Sequence, residues 1–88
     1  MKISAYKPNQ TIVHSADWTA LLSYSVPQVV VFHDNHARGK TVLVNSRRYS
    51  NTTSKHRNAF VRTLDENQYT MFPATPAEIQ EATGLETQ

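Results

Sequence analysis

The chain has 88 residues, with nine lysines and arginines, seven acids, four histidines and no cysteine. This length allows one small domain, and the lack of cysteine excludes a disulfide framework, a thiolate nucleophile and a Cys-ligated metal centre. The longest apolar run, at 29–32, falls far short of the roughly 20 residues of a membrane span, so we expect a soluble cytoplasmic protein without membrane contact.

The lysines and arginines are concentrated in the middle of the chain. Seven of the nine fall between positions 38 and 62, no acid lies between Asp34 and Asp65, and no basic residue follows Arg62. The formal net charge of +2 therefore combines a basic middle with an acidic tail.

The first third of the chain predicts short extended segments. Residues 3–6 alternate between apolar and polar, residues 7–9 form a turn, and residues 11–13 are extended again. Residues 15–17 can cap a helical turn or lead directly into a strand, and we favour an extended chain from about Leu21.

A β-hairpin is predicted next. Residues 29–32 are rich in β-branched side chains, residues 41–44 are their expected partner, and the connection between them contains Asn35 and Gly39. Because Pro27 donates no ladder hydrogen bond, it should lie at the beginning of its strand or on a sheet edge.

Cap-forming residues at 50–54 precede a stretch without Gly or Pro, which predicts a helix over about 53–64. Its apolar face comprises His56, Ala59, Phe60, Val61 and Leu64. Lys55, Asn58 and Arg62 lie on the opposite side, with Arg57 near the border. We expect His56 to pack in the core with one ring nitrogen hydrogen-bonded.

The end of the chain predicts a strand over residues 68–72 and then a helix over about 76–83. Thr75 is the expected N-cap, Pro76 the first-turn proline, Glu78 the capping-box acid and Gly84 the C-terminal stop. This acidic helix can pack over the basic residues, or it can present its acids to solvent or to a partner.

These elements predict a single α+β domain over residues 1–88. We expect a small antiparallel sheet of three to five strands, one helix at about 53–64 packed on a face of the sheet, and a short C-terminal helix at about 76–83. The low apolar content of 39% also leaves room for a homo-oligomer.

The start of the first helix is the candidate binding site. Its free backbone N–H groups, its hydroxyls and the neighbouring cations are the components of an anion site, and no acid stands in the first turn to offset the cations. The predicted site comprises Arg47, Arg48, Thr52, Thr53, Ser54, Lys55, Arg57 and Arg62. The alternative is that the hydroxyls only cap the helix and the cations face solvent.

The same cations could follow a nucleic-acid backbone, with Tyr49 stacking on an unpaired base. A metal could bind near His33, Asp34 and His36, but Asp and Asn are expected in a hairpin connection for turn formation alone. We therefore predict no metal, no cofactor, no catalytic residue and no enzyme activity.

Two motifs resemble a known group of proteins. Residues 23–27 read S-Y-x-x-P and residues 49–56 read Y-S-x-T-T-S-K-H. In this order they are similar to small uncharacterised proteins encoded by bacteriophages and prophages, over about residues 21–64. The resemblance implies a phage or prophage origin. Together with the expected solubility, this origin predicts that the protein acts in the cytoplasm of a bacterial host.

The leading functional hypothesis is a non-catalytic phage accessory protein that binds a macromolecule, above all a host protein that it inhibits or redirects. The first alternative is a nucleic-acid-binding module that uses the basic stretch at 38–62. The second alternative is a minor structural protein of the virion.

Overall fold

The computed structural model describes residues 1–34 and 39–86. Asn35, His36 and Arg38, which belong to the predicted hairpin connection and metal cluster, lie outside the described residues. In chain order the elements are β1 (Lys2–Ala5), β2 (Gln10–His14), β3 (Trp18–Ser23), β4 (Val26–Phe32), β5 (Lys40–Asn45), α1 (Asn51–Arg62), β6 (Tyr69–Ala74) and α2 (Pro76–Thr83).

The six strands form one mixed sheet in the order β1-β2-β3-β4-β5-β6. Neighbours from β1 to β5 are antiparallel, whereas β6 runs parallel to β5. The predicted antiparallel sheet of three to five strands is therefore wrong in strand number and in direction. The reason for the parallel pair is that α1 returns the chain to the starting end of β5 before β6 begins.

Several strand predictions are confirmed with shifted boundaries. The two N-terminal segments pair as β1 and β2, and residues 29–31 pair with residues 42–44 in the antiparallel pair of β4 and β5. Strand β3 begins at Trp18, earlier than the expected Leu21. Pro27 is the second residue of β4 and lies at an irregularity in the pairing with β3, where no ladder hydrogen bond is required of it.

The two helices cover opposite faces of the sheet. Phe60 of α1 packs against a cluster that includes Val29 and Val31, whereas Ile79 of α2 belongs to a cluster that includes Val30. Because successive strand residues point to opposite faces, α1 and α2 lie on different sides. The hypothesis that the acidic α2 packs over the basic residues of α1 is therefore wrong.

Helix α1 spans Asn51–Arg62, two residues earlier at each end than the predicted 53–64. The shift arises because Ser50 is the N-cap and its side chain accepts a hydrogen bond from the backbone N–H of Thr53. The buried side differs from the predicted one in two places. Thr53 is buried between α1 and the sheet, and Ala59 is exposed. No described helix has the length and apolarity of a membrane span.

Helix α2 is confirmed at Pro76–Thr83, with the complete capping box. The Thr75 side chain accepts from the backbone N–H of Glu78 at 3.2 Å, and Glu78 Oε1 accepts from the backbone N–H of Thr75 at 3.0 Å. Gly84 ends the helix at φ 77°, a left-handed conformation that favours glycine.

Glu78→Gln should lower the melting temperature at pH 7 but make little difference at about pH 3. The backbone N–H and the hydroxyl of Thr75 hold the pKa of Glu78 below its ordinary value. Since the folded pKa is the lower one, the stabilisation is present above the unfolded pKa and is lost as the pH falls through the folded pKa. Circular dichroism melting at the two pH values tests this. An equal difference between the two proteins at both pH values would contradict it.

Candidate functional site

A basic groove runs along one side of α1. It lies between the segment that follows β5 and a polar stripe of the helix at positions 51, 54, 55 and 58, whose spacing places them on one helical face. The groove has a volume of about 470 Å³ and is lined by Ser46, Arg48, Asn51, Ser54, Lys55, Arg57 and Asn58. Each of these described lining residues is basic or uncharged and polar, so together they give the groove a positive formal charge.

The two arginines of the basic groove are held by neutral oxygens. Arg48 donates through Nη2 to Asn51 Oδ1 at 3.2 Å, and Arg57 donates through Nη1 to the backbone oxygen of Asn45 at 3.2 Å. Neutral acceptors orient a guanidinium without cancelling its charge, and each guanidinium has five N–H donors. Their charge therefore stays available to an anion in the groove.

A second cavity, the tyrosine pocket, adjoins the basic groove at Arg48. Its volume is about 450 Å³, and it is lined by Ser23, Tyr24, Val26, Arg47, Arg48, Tyr49, Ser50 and Thr53. The Arg47 guanidinium lies 5.4 Å from the centre of the Tyr49 ring, a cation–π contact. Tyr49 Oη accepts from Asn45 Nδ2 at 3.2 Å, which ties this ring to the end of β5.

Tyr24 lines the tyrosine pocket and belongs to the turn between β3 and β4. Tyr24 and Ser25 have φ angles of 49° and 68°, the pattern of a type I′ hairpin turn, in which Asn and Gly are usually preferred. The Tyr24 ring stacks on His56, with centroids 6.0 Å apart and planes inclined by 25°, and the residue is 52% exposed. A partly exposed aromatic ring thus forms part of the pocket wall.

Ser23 joins the same turn to the start of α1. Its Oγ lies 2.8 Å from His56 Nδ1 and donates to Thr53 Oγ1 at 3.3 Å. The expectation that one His56 ring nitrogen has a partner is confirmed, although the side chain is only half-buried. Ser23 is 1% exposed, so its hydroxyl forms buried hydrogen bonds to α1 and is not accessible as a nucleophile.

The eight predicted site residues do not form one cluster. Arg48, Ser54, Lys55 and Arg57 line the basic groove, and Arg47 lines the tyrosine pocket. Thr53 is 5% exposed, and its hydroxyl accepts hydrogen bonds from Ser23 and Ser50. Thr52 is exposed and lines neither cavity.

Arg62 lies apart from the other predicted site residues. It lines a third cavity at the far end of α1, together with Glu66 and the apolar Val61 and Met71. Seven positions separate Arg62 from Lys55, which corresponds to about 10 Å along a helix axis.

The predicted site omits several residues that line the two cavities, among them Ser46, Asn51, Asn58 and Tyr24. Asn51 and Asn58 could have been found once Ser50 was taken as the cap, because both share a helical face with Lys55. Ser46 and Tyr24 come from the segment after β5 and the turn before β4. Tyr24 had no local signal beyond its place in the S-Y-x-x-P motif, since only the sheet brings it to the start of α1.

Of the candidate metal cluster, the structure describes His33 and Asp34. His33 Nε2 lies 2.8 Å from Thr19 Oγ1, and His33 Nδ1 lies 3.2 Å from the backbone oxygen of Ala16. Among residues 1–34 and 39–86 no three His, Asp or Glu side chains come together to hold a metal ion. Asp34 also has an interaction partner in the structure.

The sequence of residues 1–79 matches the model of a family of unknown function, DUF8033. No curated protein shows significant similarity to the chain. No solved structure does either. The family description names neither a source nor an activity, so the resemblance to phage proteins stays a prediction.

Proposed function

The chain belongs to DUF8033, a family of unknown function, and from the geometry of the chain itself we propose that it is a non-catalytic module that binds the phosphate backbone of nucleic acid. The observation that carries this proposal is the basic groove. Arg48, Lys55 and Arg57 line one open groove with hydroxyl and amide groups, and no carboxylate of the described residues contributes to its lining.

Phosphates suit this groove because they accept several hydrogen bonds at once. A guanidinium offers paired N–H donors, an ammonium offers three rotatable donors, and the hydroxyls and amides between them can contact phosphate and sugar oxygens. Three to five phosphate contacts would make the affinity for a single strand fall by roughly 20- to 100-fold between 50 and 200 mM salt.

The test compares two variants with the same loss of charge. Arg48→Gln with Lys55→Gln removes two cations from the basic groove, whereas Lys2→Gln with Lys7→Gln removes two exposed cations elsewhere. We expect the groove variant to bind labelled single-stranded DNA or RNA roughly tenfold or more weakly in fluorescence anisotropy, with a salt slope smaller by about 1.4. The control should bind like the unmodified protein.

Two results would contradict the proposal. One is a lack of binding to DNA and RNA even at about 50 mM salt, where backbone contacts are strongest. The other is an equal loss of affinity in both double variants, because that would indicate a general effect of net charge.

An acidic surface of a host protein is the competing ligand, in line with the leading hypothesis from the sequence. Carboxylates would use the same cations as phosphates. Affinity capture from a bacterial lysate, with and without nuclease, separates the two classes. A stoichiometric protein that survives nuclease and is lost in the groove variant would replace the nucleic-acid proposal. A virion component would instead be found in purified particles.

A further inference from the structure

We propose that the tyrosine pocket takes one unpaired nucleobase of the bound strand, so that the protein prefers single-stranded to duplex nucleic acid. This inference rests on the proposed function, because the basic groove would supply the backbone contacts. It adds the class of nucleic acid and assigns a site to Tyr24, a residue 25 positions before Tyr49.

The chemistry of the tyrosine pocket fits a base. Two tyrosine rings provide flat apolar surface, and Arg47 and Arg48 provide donors for base or phosphate oxygens. The pocket volume of about 450 Å³ falls within the range of small-molecule sites. Among the residues that the structure describes, none that lines the pocket carries a carboxylate that would repel a neighbouring phosphate.

Both rings are held in place before any ligand arrives. The Tyr24 ring stacks on His56 at one side, and the turn that carries it is fixed by the hydrogen bond from the Tyr24 backbone N–H to Asn9 O at 2.9 Å. Tyr49 is held by Asn45 through its hydroxyl and by Arg47 over its ring. Rings that are already ordered lose little conformational freedom on binding, which favours stacking on a ligand.

The pocket and the groove lie next to each other, because Arg48 lines both. A strand whose phosphates lie in the basic groove can therefore turn one base into the tyrosine pocket. The bases of a duplex are paired and stacked inside the double helix, and reaching the pocket would require one of them to flip out. The geometry consequently favours an unpaired strand.

The test uses fluorescence anisotropy with a labelled single strand of about 12 nucleotides and with the duplex of the same sequence. We expect the unmodified protein to bind the single strand at least about tenfold more tightly. Tyr24→Leu should weaken single-strand binding by roughly 5- to 100-fold and leave duplex affinity and the salt slope unchanged. Tyr24→Phe keeps the ring and should stay within about twofold of the unmodified protein.

A second measurement needs no variant and so does not depend on whether Tyr24→Leu folds. A single strand that carries the fluorescent base 2-aminopurine should change its emission on binding, because stacking on a tyrosine alters the emission of that base.

Equal affinity of the unmodified protein for single strand and duplex would overturn the inference and leave the proposed function in place. Unchanged single-strand binding by Tyr24→Leu would have the same consequence. A lack of binding to both probes at low salt would overturn the proposed function as well.

Discussion

Ile79→Ala is expected to lower the free energy of unfolding by about 2–5 kcal/mol. Ile79 is fully buried and is the one buried residue among those described in α2. It packs in the cluster that contains Trp18, Val30 and Ala74. Since a helix of eight residues is unstable by itself in water, this contact holds α2 on the sheet.

Urea denaturation monitored by Trp18 fluorescence measures the effect of Ile79→Ala. Gln80→Ala is the matched control, because Gln80 is exposed on the same helix and its replacement should change stability by less than about 0.5 kcal/mol. Equal destabilisation by the two variants would show that Ile79 does not anchor α2.

Gln28→Met is expected to raise the free energy of unfolding by about 1–3 kcal/mol. Gln28 is fully buried, and within the described part of the chain neither its Nε2 nor its Oε1 has a hydrogen-bond partner. The pairing of β3 with β4 shifts at this point, from Leu21 opposite Val29 to Leu22 opposite Pro27, which leaves Gln28 as the extra residue. Methionine has a similar length and carries no polar group that needs a partner.

Asn45→Leu is the matched comparison for Gln28→Met. Asn45 is equally buried, but its amide donates to Pro27 O at 2.9 Å and accepts from the Arg47 N–H at 3.0 Å. Its replacement should be destabilising, because it leaves these partners unsatisfied. If both variants lower stability alike in urea denaturation, the amide of Gln28 has a stabilising role and the prediction is wrong.

The candidate site could be predicted only in part. The three cations of the basic groove are visible in the sequence because Arg48, Lys55 and Arg57 lie within ten positions of one another. The position of Thr53 was not predictable in the same way, because its burial depends on contact with Ser23, 30 residues away in the chain. The tyrosine pocket also depends on that distant turn.

The strand pairings show the same division between features that local sequence predicts and features that depend on distant residues. The hairpin of β4 and β5 follows from neighbouring β-branched runs, whose pairing needs only a short connection. The direction of β6 depends on where α1 places the chain after twelve helical residues, and no local pattern specifies it.

By itself the sequence determined the elements whose signals are local. The capping box of α2, its first-turn proline and its terminal glycine act within a few residues, so they specify a helix at Pro76–Thr83 wherever it packs. The tertiary structure alone decided that β6 pairs in parallel with β5 and that the acidic helix α2 lies on the face opposite α1. It also decided that Tyr24 and Tyr49 line one pocket. These features arise from long-range packing, in which the burial of apolar surface across the whole sheet selects one arrangement among several that local preferences permit.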